Sequence, residues 1–140
     1  MVPEEHPLAV YSCLKPGQEN LRIPIRFIGN SPMVGLQSSV LGRQIDDFLK
    51  REGFSPNITL WLNNITEIQH FTASSRCLSI VTPKEIIPGT VPVRLENTFE
   101  HFGGYYFRTG QEFREGERRL IAAYIKEYRE EDWTKAWDYN

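Results

Sequence analysis

Apolar positions recur along the chain with different spacings, and each spacing predicts a different element. Residues 8–14 are a short, mainly apolar run closed by Lys15, Pro16 and Gly17. Residues 21–28 alternate, with Leu21, Ile23, Ile25 and Phe27 set against Arg22, Pro24 and Arg26. Both predict strands, the second with one wet face, because a pleated strand turns successive side chains to opposite sides. Pro24 has no amide proton to give to a ladder, so that strand belongs at a sheet edge or carries a bulge. Over residues 38–52 the period becomes helical, with Val40, Leu41, Ile45, Phe48 and Leu49 on one stripe and Arg43, Gln44, Asp46, Asp47 and Lys50 opposite. Gly53 is placed to take the left-handed position at the helix end, Phe54 to fold back on Leu49, and Pro56 to stop any continuation.

Residues 58–62 and 76–82 predict two further strands, separated by a polar stretch around Asn63, Asn64 and residues 72–75. Residues 91–96, interrupted by Pro92, and residues 104–108 complete the strands. Thr109 and Glu112 stand at capping-box spacing, and Phe113, Leu120, Ile121, Tyr124, Ile125 and Tyr128 repeat at helical intervals. They predict a helix over residues 110–131 whose stripe packs on the sheet. The order is two strands, helix, four strands, helix. It predicts a single α+β domain over residues 1–140, a mainly antiparallel sheet of five to six strands with two helices packed on one face. A chain of 140 residues is one domain's worth.

Composition narrows the class. With 40% hydrophobic and 24% charged residues, the chain is neither collagen-like, coiled-coil nor disordered. Sixteen basic and eighteen acidic side chains give a net charge of -2, which argues against a general nucleic-acid or anionic-membrane surface. No apolar run has bilayer-spanning length, and the first residues lack the basic and apolar regions of a signal peptide. The expectation is a cytoplasmic domain with no membrane association, in which the two Asn-x-Thr sequons, at Asn57 and Asn64, are chance.

Candidate chemistry begins with exclusions. Residues 29–35 are the nearest approach to a phosphate-binding loop, but the spacing is wrong and no Lys follows. Cys13 and Cys77 lie in apolar stretches, and the cysteines and three histidines show no zinc-ligand spacing, so buried free thiols and no metal or cofactor are expected. A Gly-x-Ser-x-Gly nucleophile elbow is absent, and Ser38 and Ser39 read as a helix cap. Asp46 with Asp47, and residues 130–132, put adjacent acids about 100° apart on helices, where they cannot converge on one ion.

Three functional readings remain. His70 and Thr72, as His-x-Thr, resemble one half of the paired motif of two-histidine phosphodiesterases, in which each imidazole is acid or base and each hydroxyl holds a phosphate oxygen. That chemistry needs a second copy, and His101 is followed by Phe102 and Gly103 without the hydroxyl. Residues 103–108 resemble the aromatic strand of RNA-recognition modules, and Tyr105, Phe107 and Arg108 with Arg22 and Arg26 would make an aromatic, basic face for single-stranded RNA. The third reading is carried by the C-terminus, where Trp133, Trp137 and Tyr139 fall within seven residues just after an amphipathic helix bearing Tyr128. Trp and Tyr are enriched at interface hot spots, although Trp133 and Trp137, four apart, also fit a stripe packed on the domain itself. The sequence reading is therefore a non-enzymatic interaction domain, a subunit, adaptor or inhibitor. It binds another protein, or a second copy of itself, through the C-terminal helix and a docking tail over residues 133–140, or through a sheet edge.

Overall fold

The computed structural model describes residues 1–37, 39–81, 86–99 and 110–130, the last without the side chains of residues 125 and 127–130. The regular elements in chain order are β1 (Val2–Pro3), β2 (Pro32–Leu36), α1 (Val40–Arg51), β3 (Asn57–Leu62), α2 (Ile65–Ser74), β4 (Leu78–Ser79), β5 (Thr90–Val91) and α3 (Glu115–Glu130). Two short 3-10 turns, Pro7–Tyr11 and Ile25–Ile28, precede β2.

The chain is α+β, but its sheets are small and the larger one is parallel. β2, β3 and β4 form a three-stranded sheet in the order β3-β2-β4, with both pairings parallel. The expected antiparallel sheet of five to six strands gives way here because residues 65–74, read from sequence as polar loop, form α2. A strand, helix, strand connection returns the chain to the same end of the sheet, which makes neighbours parallel. The step from β2 to β3 and the step from β3 back past β2 to β4 run in opposite directions. Right-handed crossovers then put α1 and α2 on opposite faces rather than together on one. α2 buries Ile68 against Val34 and Leu36. α1 buries Ile45, Phe48 and Leu49 among Ile25, Phe54, Ile80 and Leu95.

β1 and β5 form a separate antiparallel pair, Val2 opposite Val91 and Pro3 opposite Thr90. The two sheets are stitched together by Met1, whose amine donates to the Ser79 carbonyl at 2.7 Å while the Ser79 amide donates back to the Met1 carbonyl at 3.1 Å. A third apolar cluster, with Val2, Leu8, Ala9, Ile23, Ile28, Met33 and Leu78, fills the space between them.

The strands expected over residues 8–14 and 21–28 are replaced by the two 3-10 turns and by a single parallel bridge between Ile23 and Leu95. Proline decides both. Pro7 opens the first turn, where its fixed φ and missing amide cost nothing, and His6 Nδ1 accepts the Leu8 amide as the cap. Pro24 caps the second turn and ends the extended stretch after Ile23.

α1 keeps the form the sequence predicts. Ser39 Oγ accepts the Gly42 amide at 2.9 Å at its start. At its end Gly53 sits at φ +64° and donates to Lys50, while Phe54 donates to Leu49, both at 3.0 Å. Those two bonds are a Schellman close, and Phe54 packs against the cluster that holds Leu49. β3 also falls where expected, while β4 and β5 are shorter than the runs 76–82 and 91–96 that predicted them. The strand expected over residues 104–108 lies outside the described residues.

α3 differs most. It begins at Glu115 rather than at residue 110, and the Glu117 carboxylate accepts the Arg114 amide at 2.8 Å, the reciprocal half of a capping box set later in the chain. Arg118 Nε donates to the Phe113 carbonyl, and Arg119 pairs with Glu115 one turn back. The expectation that the α3 stripe packs on the sheet is not met at Leu120 and Tyr124, which are 64% and 48% exposed, and no α3 side chain among those described joins any of the three apolar clusters.

Candidate functional site

His70 and Thr72 lie two positions apart on α2, so the helix turns them roughly 200° away from each other. His70 faces solvent, whereas Thr72 is fully buried and its hydroxyl donates to Ser79 Oγ at 3.1 Å. The hydroxyl is therefore occupied in tying α2 to β4, on the side away from the imidazole. His101 lies outside the described residues. The open groove along α2 is lined by Asn64, Glu67, His70, Phe71 and Ser74. Glu67, His70 and Ser74 share one side of the helix, but the Ser74 hydroxyl donates to the backbone carbonyls of His70 and Phe71, not to the imidazole. Asn64 is absorbed as the helix cap, its side chain accepting the Glu67 amide at 2.8 Å.

The cysteines do not approach a histidine in any bonded arrangement that the described residues contain. Cys13 is buried with its thiol directed to the Pro92 carbonyl, and Cys77 lies 3.7 Å from Thr59 Oγ1. Among the described residues no group of three His, Cys, Asp or Glu side chains could hold a metal ion. An apolar cavity of about 110 Å³ opens between the layers, bounded by Met1, Leu8, Ile28, Met33, Leu78 and Val93. Burial lowers the pKa of the Met1 amine from 8.0 to about 5. The amine is spent on the Ser79 carbonyl, and apart from Ser79 the side chains around the cavity are apolar.

Of the residues expected to meet RNA, Tyr105, Phe107 and Arg108 lie outside the described residues. Arg22 donates to the Leu95 carbonyl at 3.2 Å, and Arg26 lies over the Phe27 ring, 5.8 Å from its centroid. The two arginines are thus not on a sheet face, since the alternating strand that would have placed them there is absent. Of the residues expected to meet a protein, Trp133, Trp137 and Tyr139 lie outside the described residues, and Tyr128 is placed on α3 by its backbone only.

Two surfaces remain. On α3, Leu120 and Tyr124 stand one turn apart on the same face, 64% and 48% exposed, with half-buried Ile121 beside them. The second surface, which the sequence reading missed, is made by residues 10–27. Val10 (52%), Leu14, Leu21 and Phe27 (43%) are all exposed there. Reading residues 21–28 as an alternating strand with one wet face left Leu21 and Phe27 on the opposite, dry face. The available signal was the density of prolines at positions 7, 16 and 24, which argues for turns.

No known protein family matches this chain, and no curated protein or solved structure shows significant similarity to it. Among the described residues no helix is long and apolar enough to cross a membrane.

Proposed function

We propose that the protein is a non-enzymatic protein-interaction domain, and that α3 presents its apolar face to a groove on another protein. The observation that carries this reading is Leu120, a large aliphatic side chain at 64% exposure on a 16-residue amphipathic helix that contributes nothing described to the core. A helix of that length is marginal alone in water and gains its stability from what its apolar stripe packs on. None of the three apolar clusters among the described residues supplies that packing, and a partner would. Recognition of a helix in a groove reads residues at i, i+3 and i+4, the spacings that join Leu120 and Ile121 to Tyr124.

The test is affinity capture from the native host by the full chain and by Leu120→Glu, followed by mass spectrometry. The reading expects one or more proteins retained by the wild type and reduced at least about tenfold, or roughly 1.4 kcal/mol, by the variant. Equal capture by both would move the interface off α3. Recovery of RNA instead of protein would favour the single-stranded RNA reading.

A further inference from the structure

The exposed apolar residues at 10, 14, 21 and 27 do not stand alone. Three successive turns close this segment on itself, with Lys15 donating to Ser12, Gln18 to Lys15 and Leu21 to Gln18 through the backbone at 2.9 to 3.2 Å. Tyr11 and Phe27 then meet with ring centroids 5.8 Å apart, and the Arg26 guanidinium covers the Phe27 ring. The result is a turn-closed platform whose exposed side chains are aliphatic, aromatic and, at Lys15, Arg22 and Arg26, cationic. Residues 10–27 contain Lys15, Arg22 and Arg26 against the single acid Glu19, a net of +2 in a chain whose total is -2. Glu19 is engaged internally, its carboxylate accepting the Gly17 amide at 3.0 Å.

We infer that this platform is a docking site for an acidic peptide segment that carries large apolar or aromatic side chains. Charge complementarity selects the acid, because a positive patch on a negative molecule focuses attraction on one surface. Aliphatic content selects peptide over nucleic acid. Single-stranded RNA is gripped by aromatic stacking and cations, and it would leave Val10, Leu14 and Leu21 facing phosphate and ribose. A membrane with anionic lipids would be drawn by the same charge, and the vesicles in the experiment below separate it from a peptide. This surface is separate from α3 and stands or falls without it.

The experiment titrates the full chain into a fluorescein-labelled peptide, Glu-Glu-Asp-Trp-Glu-Glu-Phe-Asp, read by anisotropy. It is repeated on the chain bearing Trp133→Ala, Trp137→Ala and Tyr139→Ala, which weakens competition from its own acidic, ring-bearing residues. Saturable binding to either chain is expected. It should weaken at least about tenfold in Lys15→Glu/Arg26→Glu and in Val10→Ser/Phe27→Ser, with thermal unfolding of the variants confirming that they remain folded. A peptide with every acid replaced by Lys should not bind. The proposal is overturned if neither chain binds the peptide, if the variants bind as tightly as the parent, or if a single-stranded oligouridylate or anionic vesicles bind the platform in the peptide's place. Loss of binding on Leu120→Glu alone would assign the peptide to α3 and likewise overturn it.

Discussion

The indole of Trp61 lies across Gly35, its partner in the β2–β3 register, so closely that a β-carbon on Gly35 would fall 2.5 Å from two carbons of the ring. Glycine is required there by the neighbouring strand, and the half-exposed tryptophan is held flat on the sheet by the absence of a side chain beneath it.

Gly35→Ala should therefore lower stability by about 1 to 3 kcal/mol, the usual cost of forcing extra volume into a filled site. The urea midpoint should fall and the Trp61 emission should shift as the ring is displaced. Trp61→Leu should recover much of the loss in the double variant, because the obstacle is the ring.

Thr72 and His70 provide a contrast within one helix. Thr72→Val removes the donor to Ser79 Oγ inside the core and should cost about 1 to 3 kcal/mol, whereas His70→Ala on the solvent face should stay within about 0.5 kcal/mol of wild type. Chemical denaturation of the two variants side by side checks the assignment. A large effect at His70 would show that α2 is rotated from the orientation described.

Phe48 and Leu120 separate core from surface. Phe48→Ala should destabilise by about 3 to 5 kcal/mol, since its ring is 2% exposed and packs against Phe99 at 5.3 Å between centroids. Leu120→Ala should leave the urea midpoint nearly unchanged. A midpoint lowered as far as that of Phe48→Ala would return α3 to the core.

Acidification should destabilise the chain that begins at Met1. The Met1 amine has a folded pKa of about 5 against 8.0 unfolded, so between these values the unfolded state binds more protons and stability rises with pH. The slope approaches about 1.4 kcal/mol per pH unit in the middle of that window. Desolvation also lowers the His6 pKa below 6.5, and protonating Nδ1 would break the cap it gives Leu8, an effect of the same sign. Urea midpoints at pH 5, 6.5 and 8 should increase in that order; a flat profile would mean the amine is not held neutral.

What was legible in the sequence follows physical scale. α1 could be read because its stripe is long and its ending is encoded locally, by Gly53 and by Phe54 returning to Leu49. α2 was missed although Asn64 and Glu67 stand at cap spacing and Ile65, Ile68 and Thr72 follow a helical stripe. Ten residues, with asparagines before them and serines after, carry too little apolar signal to outweigh the turn chemistry at both ends. That one omission hid the parallel sheet, because the direction of β4 depends on what precedes it. For α3 the periodicity identified a helix with an apolar face, but periodicity carries no information on what covers that face. The candidate site was legible only to that extent, and the platform over residues 10–27 was lost to an alternation that Pro24 interrupts.

The pairing of Val2 with Val91, and of Met1 with Ser79, also has a kinetic side. These contacts join residues 78 and 89 positions apart in the chain, so Met1 and Val2 are made long before the partners they pair with. At a synthesis rate of roughly 5 to 20 residues per second, the N-terminal strand waits about 5 to 20 s for β5 to be made. Until then β1 lacks its pairing partner, and closing so long a loop is entropically slow. The nascent chain is therefore most open to chaperone capture or self-association in the interval after α2 has formed and before residue 91 emerges.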